Sequence, residues 1–142
     1  SSSILSYSVS SPYHYLSSGI TLNTCTSGWK GVQILYTCTN CPDITPYQQF
    51  TYTFTALSNR TRLSFSFRED VGCFALDGVS VRSIVTPGVE LIANNGFETG
   101  NLNSWTYCNP AGATSAGAVK ATTDYLFCEG VYYQAKLGSY YY

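Results

Sequence analysis

The sequence predicts an all-β chain, on three observations. Apolar and polar side chains alternate with period two along several short stretches, turn-forming residues punctuate them, and no segment longer than about two turns carries the 3.6-residue repeat of a helix. The clearest alternation runs through 50–56, where Phe50, Tyr52, Phe54 and Ala56 fall on one side and Thr51, Thr53 and Thr55 on the other. Leu63, Phe65 and Phe67 alternate in the same way with Arg62, Ser64, Ser66 and Arg68. Ser58-Asn59-Arg60 between them is a turn, so 49–68 is expected to form an antiparallel hairpin. In 74–81 the parity breaks: Phe74 and Leu76 fall on one face, Val79 and Val81 on the other, with Asp77-Gly78 at the switch. A bulge at Gly78, or burial of the strand on both faces, accounts for such a break. Further strands are expected at 4–9, 13–16, 31–37, 89–93, 104–108, 117–122 and 131–136. Turns are expected at Pro42-Asp43, Pro46, Pro87-Gly88, Asn94-Asn95-Gly96 and Asn109-Pro110-Ala111-Gly112.

Composition narrows the function classes. The 142 residues suffice for one domain with a real core and hardly for two. Charged residues make up 11% and the net charge is −1, so no basic footprint for nucleic acid is present. Apolar runs fall far short of the roughly 20 residues that span a bilayer, which leaves no membrane anchor. Six cysteines beside a single histidine, without zinc-type spacing, favour disulfides and therefore an oxidising, extracellular compartment. The chain holds no Met and opens on Ser1-Ser2-Ser3 without the features of a signal peptide, so it is expected to be a processed or excerpted piece of a longer precursor.

Two stretches carry a resemblance. Residues 61–81 read TRLSFSFREDVGCFALDGVSV, and residues 90–105 read ELIANNGFETGNLNSW. The first resembles the closing strands, and the second the opening turn and following Trp, of galactose-binding-like jelly rolls, the fold of many carbohydrate-binding modules. The closing motif precedes the opening one. The resemblance therefore implies a jelly-roll β-sandwich that is split or circularly permuted, with 1–82 as a closing half, 83–89 as a short linker bent at Pro87-Gly88, and 90–142 as an opening half. Such a chain folds as a permutant, is completed by a neighbouring copy, or is a window through a tandem array.

The resemblance also suggests residue roles. Asp77 and Glu98 match positions that help to bind a structural calcium in related jelly rolls, although Gly78 stands where the pattern has a second acid. The alternative is a strand-end Asp and a turn-stabilising Glu with no metal. Trp105 matches a core Trp. Trp29, Tyr132 and Tyr133 are candidate sugar-stacking platforms, as are Tyr13, Tyr15 and the terminal Tyr140-Tyr141-Tyr142, weighed against cross-strand packing and interface roles for tyrosine.

The remaining candidates come from the residues themselves. Pairing Cys108 with Cys128 would staple the strand after Trp105 to the segment before Val131, and Cys25, Cys38, Cys41 and Cys73 supply two further bridges. Asn59-Arg60-Thr61 is an N-glycosylation sequon on the expected hairpin turn, whereas Asn23-Thr24-Cys25 is the rarer Cys-type sequon. His14 has no Cys or Ser partner implied by spacing, so it is not expected to act as a general base. Glu69 and Asp70 are adjacent and so point to opposite strand faces, forming no glycosidase pair. No catalytic constellation is present, and the expected function is not enzymatic. The leading expectation is an extracellular structural protein that assembles with identical copies, head to tail, by half-domain complementation. A non-catalytic carbohydrate-binding module and an adhesive surface domain are the alternatives.

Overall fold

The computed structural model describes residues 2–11, 33–38, 44–67, 72–108 and 117–142. The strands are β1 (Ser2–Ser11), β2 (Ile44–Thr55), β3 (Ala75–Ser83), β4 (Lys120–Ala121), β5 (Phe127–Cys128), β6 (Val131–Tyr132) and β7 (Tyr140–Tyr141). Among the described residues the helical content is one 3₁₀ turn, Thr122–Asp124. The fold is all-β with antiparallel pairing throughout, as the alternation predicts.

β1 is the centre of a three-stranded sheet of order β2-β1-β3. Its odd positions Leu5, Tyr7 and Val9 are buried in the main hydrophobic cluster with Leu76, Val79, Val81 and Phe97. Its even positions Ser8 and Ser10 are also buried. Small side chains there let a second layer approach closely. On that side a second cluster joins Ala75 of β3 to Tyr133 and Tyr141, with Tyr47 of β2, Leu126 and Val131 packed around them.

β3 explains the broken parity. Ser6 pairs with Ser80 and Ser8 with Asp77, so two steps along β1 span three along β3. The extra residue is a β-bulge at Gly78, whose φ of +61° is open to glycine at no steric cost. Leu76, Val79 and Val81 thereby share the main cluster, while Ala75 faces the other layer.

The expected hairpin over 49–68 is corrected. β2 pairs with β1, not with 61–67, in a register that sets Phe50 opposite Tyr7 and Tyr52 opposite Leu5. Residues 61–67 join no ladder. Leu63 and Phe65 still pack on the main cluster, and Phe65 sets its edge against Tyr7 at 5.0 Å between ring centroids. Period-two alternation reports that one side of a segment is buried, which an unpaired extended segment achieves equally well. Residues 33–37, 89–93 and 104–108 likewise form no strand, and the strands expected at 117–122 and 131–136 shrink to β4 and β6. The strand expected at 13–16 lies outside the described residues.

Residues of both proposed halves contribute to the main cluster: Phe97 joins the side chains of β1 and β3 in it, and Ile92, Leu102, Trp105, Val119, Tyr140 and Tyr142 pack against it. The 83–89 segment folds back sharply. Val89 N–H donates to Thr86 O at 3.2 Å, Arg82 Nη1 donates to Pro87 O at 3.0 Å, and Leu91 N–H reaches Val81 O at 2.9 Å.

Candidate functional site

Chemistry concentrates where the C-terminal segment meets the free edge of β3. Tyr142 and Leu76 exchange backbone hydrogen bonds, Leu76 N–H to Tyr142 O at 2.7 Å and Tyr142 N–H to Leu76 O at 3.0 Å. On its other side the segment pairs with β4, Lys120 opposite Tyr141 and Ala121 opposite Tyr140. The edge that β3 would otherwise present is thus occupied by the chain's own last residues.

Two carboxylates seat that segment. Asp77, fully buried beside the bulge, accepts from Gly78 N–H at 2.7 Å through Oδ1, and from Lys136 N–H at 2.7 Å and Leu137 N–H at 2.9 Å through Oδ2. Glu98 accepts from Ser139 N–H at 3.0 Å and Tyr140 N–H at 3.1 Å. Consecutive backbone donors wrapped around an anion form a nest, here with a side-chain carboxylate as the anion. Gly138 sits between them at φ +65°, and a Cβ built on it would overlap the Glu98 carboxylate. Burial pushes the Asp77 carboxyl up; the N–H groups of Leu137, Gly78 and Lys136 oppose the rise and the Glu98 charge adds to it, leaving it above the usual carboxylate range.

Asp77 and Glu98 therefore hold neighbouring stretches of one segment, and the lone pairs that a cation would take are turned toward N–H donors. The arrangement fits backbone amides and does not fit Ca²⁺, which needs 6–8 oxygen ligands and no hydrogens aimed at it. Among the described residues no group of three or more His, Cys, Asp or Glu is clustered for a metal.

A loop built on asparagine positions Glu98. Asn94 Nδ2 donates to Asn101 O and Asn103 O, each at 2.9 Å, and its Oδ1 accepts from Thr99 N–H at 3.2 Å. Trp105 Nε1 donates to Asn94 O at 2.9 Å, and Asn95 Nδ2 ties the loop to Val79 O on β3 at 2.7 Å. Phe97, at φ +59°, is held in that left-handed conformation by burial between Trp105 and Tyr142 at centroid distances of 5.3 and 5.9 Å. Trp105 is thus partly buried and packs on the main cluster.

A third carboxylate clamps the turn after β3. Glu90 accepts from Ser80 Oγ at 2.6 Å, Val81 N–H at 2.8 Å and Ile92 N–H at 3.2 Å, with Arg82 Nε at 3.5 Å. Partial burial opposes its ionisation, but these donors and the Arg82 charge outweigh it and hold the carboxyl below the usual range. Sequence reading missed Glu90 and Gly138. The signals available were an acid following a Pro-Gly turn that returns on β3, and a Gly flanked by donors near the terminal strand.

The disulfide expectation changes. Cys128 is bonded to Cys73, with Cα atoms 6.3 Å apart, not to Cys108. The β5–β6 hairpin lies against the entry to β3, where Tyr133 Oη also donates to Cys73 O at 2.9 Å. Cys108 and Cys38 are disulfide-bonded as well.

Of the aromatic candidates, Tyr132 is exposed and its ring stands 4.7 Å from that of exposed Phe127. Tyr133 is buried, so it offers no open face to a sugar. Tyr141 is buried and Tyr140 and Tyr142 pack on the main cluster. A cavity of ≈ 90 Å³ beside Tyr132, lined also by Ser10, Pro46, Tyr47 and Gln134, is well below the roughly 300 Å³ at which ligand pockets begin. Asn59 is exposed on the turn after β2. Trp29, Tyr13, Tyr15, His14, Asn23, Glu69, Asp70, Cys25 and Cys41 lie outside the described residues. Among the described residues no helix is long and apolar enough to cross a membrane. Comparison of the chain with family models, with curated proteins and with solved structures finds no match.

Proposed function

We propose that the chain is an extracellular structural protein in which 1–82 and 90–142 complete one jelly-roll-like sandwich, and that this junction, made between copies, propagates head to tail as a filament. The carrying observation is the form of the junction: a terminal segment laid on the free edge of β3, held by Leu76 and Asp77. Strand addition of this kind is a recurrent mode of protein assembly. Exchange of 90–142 reproduces every one of these contacts with a neighbour, and only the 83–89 turn has to open. A glycan on exposed Asn59 keeps the surrounding sheet surface soluble.

The bridge between Cys73 and Cys128 makes the test sharp, because it joins the two halves. If 90–142 passes to a neighbour before oxidation, that bond becomes intermolecular. Non-reducing denaturing electrophoresis then gives a ladder of covalent multimers, and negative-stain imaging of the native material gives filaments. A monodisperse monomer that runs as a single unbridged band would sink the proposal.

The exposed Phe127–Tyr132 pair favours a second reading, sugar stacking by a carbohydrate-binding module. Under it, Tyr132→Ala abolishes retention on immobilised polysaccharide and leaves the assembly state unchanged.

A further inference from the structure

The halves divide their polar contacts unequally. Asp77 belongs to the first half and reaches across to Lys136 and Leu137 of the second. Glu98 belongs to the second half and bonds Ser139 and Tyr140 within it. Gly138 lies between the two sets of donors, and only a residue without a Cβ lets the Glu98 carboxylate come so close. The Gly78 bulge is what turns Asp77 toward the segment, and a Cβ there would lie 3.4 Å from Leu137 Cδ1.

From this placement we infer that Asp77 is the reading residue of the acceptor edge, and that Glu98 and Gly138 shape 136–140 of a second copy into the one loop Asp77 accepts. The inference deepens the assembly reading and rests on it for the identity of the occupant. A side chain that reads backbone N–H groups carries no sequence preference of its own. Selectivity comes from loop shape, so a segment without glycine at the equivalent of position 138 presents its donors in the wrong direction and is rejected. Register is set at the same time: sliding the segment by one residue would take Lys136 and Leu137 N–H off Asp77 and the Tyr142 pairing off Leu76 together.

The test uses the full chain in two steps. Amide hydrogen exchange is measured on the wild type and on Asp77→Asn, Glu98→Ala and Gly138→Ala. Asp77→Asn should speed exchange at Lys136 and Leu137 by about tenfold or more, because an amide NH₂ takes the place of an acceptor oxygen and is set against an N–H donor. Glu98→Ala and Gly138→Ala should do the same at Ser139 and Tyr140 and also at Lys136 and Leu137, since the loop is no longer preshaped. Wild-type rates at Lys136 and Leu137 in Gly138→Ala overturn the inference. That variant leaves Asp77 in place, and it decides the matter if Asp77→Asn proves globally unfolded by loss of protection in β1.

In the second step, Asp77→Asn chains and Gly138→Ala chains are co-refolded from the reduced state. The acceptor of the Gly138→Ala chain and the donor of the Asp77→Asn chain are both intact. A one-to-one heterodimer that does not propagate is the expected product, with each variant alone unassembled. Filaments from either variant alone overturn the inference and leave the assembly reading standing. Altered exchange with no heterodimer, and a monomeric wild type, removes the assembly reading and leaves the loop-shaping role intact.

Discussion

The sheet of β1, β2 and β3 and the chain beyond Ser83 are organised on different principles. In the sheet, backbone ladders of 9 to 12 residues carry the structure, and the side chains only decide which face is buried. Beyond Ser83, among the described residues, each paired strand is 2 residues long. There, carboxylates and carboxamides take over the satisfaction of backbone groups: Asp77 and Glu98 for 136–140, Glu90 for 81–92, Asn94 and Asn95 for the turn between them. A ladder is redundant, because losing one bond leaves its neighbours. A clamp by one side chain is not, so single substitutions should act much more sharply in the second region than in the first.

Phe97 is where the two regions meet, and its loss is the largest single-residue effect expected. Phe97→Ala removes a buried ring from between Trp105 and Tyr142 and leaves the strained backbone with nothing to hold it. Truncation of a buried Phe costs about 3–5 kcal/mol. Denaturant unfolding should show at least that loss, with the protection of 94–105 amides falling before that of β1. Equal loss in both regions would show that the second region has no stability separate from the first.

The Cys73–Cys128 bridge is next. It closes a loop of sequence separation 55, for which removal costs about 2–4 kcal/mol. The double variant C73A/C128A should show this in equilibrium unfolding. It should also loosen the β5–β6 hairpin selectively, seen as faster exchange at Tyr133 N–H, which bonds Leu126 O at 2.9 Å.

These expectations bear on what was legible in the sequence. β1 and the bulge in β3 were legible because burial on a strand leaves a parity signal, and Gly at the parity break is what a bulge requires. The 61–68 partner for β2 was illegible in principle: Leu63 and Phe65 alternate and are buried, yet alternation does not say which strand, if any, lies alongside. Asp77 and Glu98 were found by resemblance, but what they bind is fixed by which backbone comes near, and that comes from 136–140, about 40 to 60 residues further along the chain. Phe97 taking the left-handed conformation, while Gly96 before it does not, left no trace in the residue types. The pairing of Cys128 depended on the hairpin packing against β3, which spacing does not encode.

Acid should separate the carboxylates by sign. Glu90 is held below its usual range, so its contribution is present above the unfolded value of about 4.3 and is lost as the pH falls through the lower folded value. Asp77 is held above its usual range, so the folded state keeps its proton more tightly than the unfolded one. Its contribution grows as the pH falls through the raised folded value. On acidification, exchange-corrected protection at Val81 and Ile92 should decline while that at Lys136 and Leu137 holds. A simultaneous decline at both sites would mean that Asp77 contributes as an ordinary paired carboxylate.

The smallest effect expected is a gain. Tyr141 is 1% exposed, and among the described residues its hydroxyl has no hydrogen-bond partner. Burial pushes its pKa up, with the Asp124 charge adding to the rise, so the hydroxyl stays neutral and its desolvation goes uncompensated. A buried, unpaired hydroxyl costs about 1–3 kcal/mol, whereas the ring around it contributes fully to the second cluster with Ala75 and Tyr133. Tyr141→Phe keeps the ring and removes the unpaired group. It should leave stability unchanged or raise it by up to about 1 kcal/mol, with β7 still paired to β4, whereas Tyr141→Ala should destabilise strongly. A loss of more than about 1 kcal/mol in Tyr141→Phe would mean that the hydroxyl is hydrogen-bonded in solution, and would make Tyr141 a further polar clamp in place of a purely apolar anchor.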